Sequence, residues 1–485
     1  MICPSILSRC RLRAAAAACG TLLLTAGCAV GPEFVPPDSG LQAIEMTPSA
    51  ELADLAGRAA PSAAAVPADW WTLFNDASLT ALQTRAQEAN LDLQAAAERI
   101  EQSRALLGIA SAELLPTVGV GASYAREALS EHGKFAALGA PSTPSDFWQL
   151  GFDASWEIDL WGRARRVREG ADASLDAARY DREAVRVSLS AEVARTYLQL
   201  RGTQAELGIA EQNRAVAERT LGLAESRERN GIATRFETSS ARAQLATVKS
   251  LVPELTQRRN ALMNALALLV GAPPRTLDTQ LRHAMPLPAL PGEVPVGMPS
   301  ELARRRPDIL RAEAQLHAAT ADVGAAKADF YPRVGLRGRV GLEAFELGDL
   351  DSWDSRFFSV GPTVYLPIFQ GGRLTQRQAL SEARQKTAAL AYRQTVLRAW
   401  HEVDNALDAW AAQLRQHDEL QIAFTQNSEA LRVAERGYQE GASDFLSVLT
   451  AQRNLLQSQT ALNRSATNAT LTLVSLYKSL GGGWS

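Results

Sequence analysis

Apolar side chains fall at every second position in two stretches of this chain. In the first, Trp148, Leu150, Phe152, Ala154, Trp156, Ile158 and Leu160 alternate with Gln149, Gly151, Asp153, Ser155, Glu157 and Asp159. Upstream, Val118, Val120, Ala122 and Tyr124 alternate with Thr117, Gly119, Gly121 and Ser123. In the second stretch Val334, Leu336, Gly338, Val340 and Leu342 alternate with Arg333, Gly335, Arg337, Arg339 and Glu343. Phe358, Val360, Val364, Leu366 and Ile368 complete that hairpin. Period two marks a strand with one apolar and one wet face. Strands of about 11 to 13 residues are long enough to cross a membrane at a tilt. Trp148, Trp161, Trp353 and Phe369 lie near the strand ends, where aromatic girdles sit. The alternative is a soluble sandwich hairpin. Charge along the wet faces, and the presence of only two hairpins, argue against it.

Elsewhere the period becomes seven. Val396, Trp400, Val403, Leu407, Trp410 and Leu414 step by four and three. Leu245, Val248, Val252, Leu255, Leu262, Leu266 and Leu269 keep the same repeat, with Arg259 in the gap. The pattern predicts long helices over 163–229 and 373–440. Each stops at a glycine turn, Asn230-Gly231 or Glu440-Gly441, and the chain returns as a helix of about 38 residues. Shorter helices are predicted over 78–113 and 300–329, where they fill the length the return helices lack.

These elements come twice. Gly231-Ile232-Ala233 matches Gly441-Ala442-Ser443 at an offset of 210 residues, and Gly271 matches Gly481. Upstream the offset is 216: Leu115-Pro116-Thr117-Val118-Gly119 matches Tyr331-Pro332-Arg333-Val334-Gly335, and Asp92 matches Asp308. Such a duplication points to a pseudo-symmetric architecture. It divides the chain into 69–299, with a β-hairpin at 114–161 and a helical hairpin at 163–271, and 300–485, with counterparts at 330–370 and 373–480.

The N-terminus adds an export signal over 1–27: Arg9, Arg11 and Arg13 precede a short apolar run from Ala14 to Ala26. It ends Leu24-Thr25-Ala26-Gly27-Cys28, which resembles a bacterial lipobox and makes Cys28 the lipidated first residue. The other cysteines, Cys3, Cys10 and Cys19, leave with the signal, so no disulfide is expected. The alternative is ordinary cleavage with Cys28 free. Residues 28–68, rich in Pro and Ala, read as an arm or tether. A net charge of −3 gives no reason to expect nucleic acid, and a hydrophobic content of 46% reads as ordered protein.

Two hairpins cannot satisfy their own strand edges in lipid. Three copies supply twelve strands, an even number suited to a closed barrel around an open lumen. Arg333, Arg337 and Arg339 would then face that lumen. They would either set its electrostatics or simply line a water-filled space.

Cys28-Ala29-Val30-Gly31-Pro32 with Pro36-Pro37, Arg304-Arg305-Arg306-Pro307-Asp308, and Phe369-Gln370-Gly371-Gly372-Arg373 together resemble the outer-membrane efflux lipoproteins. These are TolC/OprM-like outer membrane factors of the NodT type, and the resemblance runs from the lipobox to Gly483. It implies an α+β membrane protein: a trimeric 12-strand β-barrel, four strands per chain, continuous with a long coiled-coil periplasmic tunnel. The location implied is the outer membrane of a Gram-negative bacterium, with a lipid anchor. The implied partners are two further copies, a periplasmic membrane-fusion adaptor and, through it, an inner-membrane RND-type pump. The chain would be the passive exit duct for small molecules such as drugs and toxic compounds.

The same resemblance assigns adaptor contact to the helix turns: Gly231, Ile232, Ala233 and Thr234, and Gly441, Ala442, Ser443 and Asp444. It places a periplasmic constriction at Leu446, Ser447 and Thr450. Relatives often carry carboxylates at the last two positions. Hydroxyls stand there in this chain, which leaves Glu237 as the nearest acidic substitute. A heptad core position is the plain alternative for Leu446. No enzyme is expected. The histidines His132, His283, His317, His401 and His417 make no metal-type pair, and no nucleophile–base constellation or cofactor motif is present. The competing functions are a lipid-anchored coiled-coil scaffold without a pore, and the exit duct of a type I protein secretion system.

Overall fold

The computed structural model describes residues 29–38, 60–62, 64–139, 142–296 and 305–484. The signal segment 1–27, Cys28, Arg304 and the predicted 299/300 boundary lie outside them. Two compact units are present. One takes in the described part of Met1–Pro37 with Arg99–Ala178 and Ala312–Tyr392. The other takes in Asp38–Glu98, Arg179–Arg311 and Arg393–Ser485.

In chain order the main elements are α1 (Ala77–Ala89), α2 (Leu91–Ala112), β1 (Thr117–Glu127), β2 (Ser145–Ile158), α3 (Arg163–Arg229) and α4 (Arg235–Leu269). They are followed by α5 (Pro307–Ala328), β3 (Arg333–Ala344), β4 (Arg356–Tyr365), α6 (Arg373–Gln439) and α7 (Phe445–Ser479). The duplication is visible in the lengths: α2 and α5 have 22 residues each, α3 and α6 have 67, and α4 and α7 have 35. The predicted helix over 78–113 is two helices. Asn90 breaks it with an extended backbone (ψ 127°), and its side-chain oxygen accepts from Leu93 N–H at 3.1 Å to start α2. The return helices are also shorter than about 38 residues.

In the first unit the strands form one antiparallel sheet in the order β1-β2-β3-β4. The register carries the apolar face across all four. Val120 stands opposite Phe152, Phe152 opposite Val340, and Val340 opposite Phe358. These side chains are exposed in the isolated chain. The wet face is aligned in the same way, with Gly119, Asp153, Arg339 and Ser359 in one row. β4 ends at Tyr365, so Leu366 and Ile368 lie beyond the strand although they keep its parity. The segment after Cys28 is docked on this unit. Val30 N–H donates to the Trp161 carbonyl at 3.0 Å, and Phe34 stacks on His317 with ring centroids 4.3 Å apart.

The second unit is helical, with a short parallel pairing of Ala60–Ser62 and Glu293–Pro295. Its core holds Trp70, Leu79, Leu82, Tyr197, Leu266, Trp410 and Tyr477, all buried. Most heptad positions are buried: Val396, Val403, Leu407 and Trp410 on α6, and Leu245, Val248, Leu255 and Leu266 on α4, whereas Trp400, Leu414, Val252, Leu262 and Leu269 are half-buried. Both return helices end alike. Gly271 (φ +65°) and Gly481 (φ +74°) press against the backbone of Ala89 and Arg305. A Cβ at either would lie 2.4 or 2.6 Å from the carbonyl oxygen, so only glycine fits.

The residue after each of those carbonyls ties the joint. Asn90 donates its side-chain N–H to the Leu269 carbonyl at 3.0 Å, and Arg306 donates to the Ser479 carbonyl at 2.9 Å. The two chemistries differ. Asn90 is neutral, whereas buried Arg306 also binds Asp308 and Glu402, each at 2.7 Å. Arg306→Ala is expected to cost about 3 kcal/mol or more, because it removes a buried charge from its pairs. Asn90→Ala should cost about 1–2 kcal/mol for a cap and one hydrogen bond. Thermal unfolding of both variants in detergent checks the order, and equal losses would show that the ion pairs add nothing.

Candidate functional site

The two helix turns are built from one recipe. α3 closes with Gly231 in the left-handed region (φ +74°). Gly231 N–H donates to Glu228 O at 2.9 Å and Ile232 N–H to Arg227 O at 2.9 Å. α6 closes the same way with Gly441 (φ +76°), where Ala442 N–H donates to Gly437 O at 2.7 Å. This paired bonding satisfies carbonyls a helix end leaves open. Each return helix then starts on a side-chain cap. Thr234 accepts from Glu237 N–H at 3.4 Å, and Asp444 from Ser447 N–H at 2.8 Å. The Ser447 hydroxyl and N–H together hold the Asp444 carboxyl below the usual carboxylate range.

Above the turns lies a small shared core of Ala224, Ala241, Tyr438, Phe445, Val448 and Leu449, drawn from α3, α4, α6 and α7. Arg227 lies over the Tyr438 ring at 4.4 Å, and Tyr438 packs against Phe445 with ring centroids 5.4 Å apart and planes tilted by 53°. Burial pushes the Tyr438 phenol above its ordinary value, with Arg227 opposing the shift.

Phe445, Val448 and Leu449 fill that core, and Leu446, Ser447 and Thr450 point away from it. Leu446 is 52% exposed, so within one chain it is not a heptad core residue. Glu237 is half-buried in the first turn of α4. At the 210-residue offset it is the counterpart of Ser447, and Phe236 is the counterpart of Leu446. Phe236 is 67% exposed. The sequence reading passed over it, although the offset alone leads from Leu446 to it.

The three arginines of the sheet do not behave as a set. Arg339 is paired with Asp153 at 2.7 Å and Arg333 with Asp329 at 2.7 Å, whereas Arg337 stands on the same wet face opposite Ser155 and Gly361. Among the described residues no cluster of three or more His, Cys, Asp or Glu is placed to hold a metal ion, and no helix is long and apolar enough to cross a membrane.

Comparison with known proteins decides the family. The family model described as "Outer membrane efflux protein" matches residues 82–272 and again 298–482. The chain belongs to the outer membrane efflux protein family. The pyoverdine export outer membrane protein OpmQ of Pseudomonas putida is 36% identical over 443 residues, which cover 90% of this chain and 93% of that one. Outer membrane protein OprJ of Pseudomonas aeruginosa is 32% identical, with 90% and 91% covered. Among solved structures, the outer-membrane channel OprN has a TM-score of 0.86 at 33% identity, covering 94% of this chain and 100% of its own. The open-state MtrE outer membrane channel of Neisseria gonorrhoeae has a TM-score of 0.79 at 27% identity, with 94% and 99% covered. This efflux protein is therefore an outer-membrane transport component with the tunnel-and-sheet fold of such channels.

The tip geometry separates packing from exposure. Leu446→Ser is expected to change unfolding stability by no more than about 0.5 kcal/mol. Leu449→Ala, which empties the shared core, should cost about 2–5 kcal/mol. Comparable losses from both would mean that Leu446 is a packing residue.

Proposed function

We propose that three copies of this chain close into a twelve-stranded barrel continuous with a helical tunnel, and that this duct passively carries small molecules out of the cell. The observation that carries the reading is the sheet. Among the described residues β1 and β4 have one partner each, so both edges of a four-stranded sheet are open, and most of its apolar face, from Val118 and Val120 across Phe152 and Val340 to Phe358 and Val360, is exposed. In lipid, open edges are not tolerated and closure by further strands is the remedy. The duplicated elements form two repeats, 69–299 and 300–485.

In this reading the turns at 230–234 and 440–444 dock a periplasmic adaptor that connects the duct to an inner-membrane pump of the RND type. Leu446, exposed just above the second turn, narrows the tunnel as a ring of three apolar side chains. Ser447 and Thr450 make that ring hydroxylic. Half-buried Glu237 supplies acidity from the first repeat. Arg333, Arg337 and Arg339 face the barrel lumen. Relatives named for export of pyoverdine, solvents and toluene support small organic cargo. Cys28 carries a lipid that anchors the docked arm beginning at Ala29.

The first test is the mass of the purified mature protein in detergent, followed by single-channel recording in a planar bilayer. Trimers with discrete conductance steps are expected, and Leu446→Ser should raise the resting conductance. A monomeric, water-soluble mature protein would overturn the reading. Lipidation has its own test: Cys28→Ser should lower the mature mass by the lipid and leave the trimer intact. An unchanged mass after lipoprotein signal-peptidase inhibition would exclude the anchor.

A further inference from the structure

We propose that Arg337 is an anion-contact residue of the lumen, where it holds carboxylate, phosphate or sulfonate groups of passing solutes. The proposal rests on the barrel reading above, which turns the wet face of the sheet inward and repeats Arg337 three times around the lumen.

The register defines its surroundings. Thr117, Ser155, Arg337 and Gly361 form one row of the wet face. The neighbours are short, so nothing covers the guanidinium and Arg337 is exposed. Two carboxylates stand on the adjacent rows, and both are committed elsewhere. Asp153 accepts from Arg339 at 2.7 Å, and Glu157 pairs with Arg163 at 3.4 Å. Arg163 is in turn shared with Glu113 at 3.0 Å. Towards α5, Arg333 and Arg377 share the buried carboxylate of Asp329, at 2.7 and 3.0 Å, and their excess cation offsets the excess carboxylate at Arg163. Towards the other end, the next wet-face carboxylate on β3 is Glu343, six residues on. That is about 20 Å at a strand's rise, beyond the ~8 Å over which physiological salt lets exposed charges act. Arg337 therefore has no acidic partner among the described residues.

A guanidinium with free donors is suited to planar anions, which it binds through paired hydrogen bonds. The Thr117 and Ser155 hydroxyls, 2.8 Å apart, lie in the same row and add polar contacts. Rings of arginine in a pore favour anions by the same physics. Arg339 does not contribute, because Asp153 cancels it.

The test uses the full-length protein in intact outer membranes. Every cysteine of the natural sequence lies within residues 1–28. Ser155→Cys therefore places a reporter thiol directly opposite Arg337. Its labelling rate from outside is measured with an anionic sulfonate and a cationic trimethylammonium methanethiosulfonate of similar size. The anion-to-cation rate ratio should fall about tenfold when Arg337→Gln is added, the size expected for a unit charge about 5 Å away. Arg337→Lys should largely keep the ratio, and the charge-neutral pair Asp153→Asn with Arg339→Gln should leave it unchanged. A labelled thiol whose ratio ignores Arg337→Gln would overturn the anion contact and leave the barrel standing. A thiol that no external reagent reaches would overturn the barrel reading and the anion contact with it.

Discussion

A backbone amide in lipid has no water to turn to, and that constraint governs this molecule more than any other. Unpaired N–H and C=O groups cost several kcal/mol each in hydrocarbon. The sheet of this chain satisfies its inner strands and leaves one edge of β1 and one of β4 open. It also exposes an apolar face of Val118, Val120, Phe152, Val340, Phe358 and Val360 that water would not tolerate. Lipid answers the face, and further strands answer the edges. The barrel proposed above is one answer to that hydrogen-bond requirement, because closure leaves no strand edge in lipid.

Duplication offers a second economy, and the joints show how far it has drifted. Asn90 and Arg306 occupy the same place in their repeats and donate to the same carbonyl, that of the last residue of the return helix. The glycine beyond that carbonyl is kept in both, because a Cβ there would collide with backbone. The donor has diverged because its requirement is looser: any side chain that reaches the carbonyl serves. Arg306 then needs carboxylates to accompany it into the interior, and Asp308 and Glu402 supply them.

What the sequence made legible follows the same physics. The 67-residue helices could be read to within a residue at the turn, because glycine at the left-handed position is a local signal. Strand faces were legible because parity is local too. Pairing is not, and the alternation through Leu366 and Ile368 outran the real end of β4 for that reason. The break at Asn90 was hidden. Asparagine is tolerated in helices, and the carbonyl that holds its side chain is 179 residues away. The three arginines of the wet face looked equivalent for a similar reason. Only the register, which sets Asp153 opposite Arg339, distinguishes the neutralised cation from the free one.

The tips carry this divergence furthest. At the 210-residue offset Phe445 and Leu449, both buried, replace Arg235 and Ser239, both exposed. The second repeat thus supplies the large buried residues of the shared core, and the first supplies Ala224 and Ala241, with Leu221 packed against them. A perfect duplication would give each chain two equivalent turns. Here one turn leads into α7, which is anchored by Phe445, Val448 and Leu449. The other leads into α4, whose first turn is polar except for exposed Phe236. Local opening costs less where fewer buried contacts must break. The α7 turn, anchored by Phe445, Val448 and Leu449, is therefore held more firmly within the chain than the α4 turn.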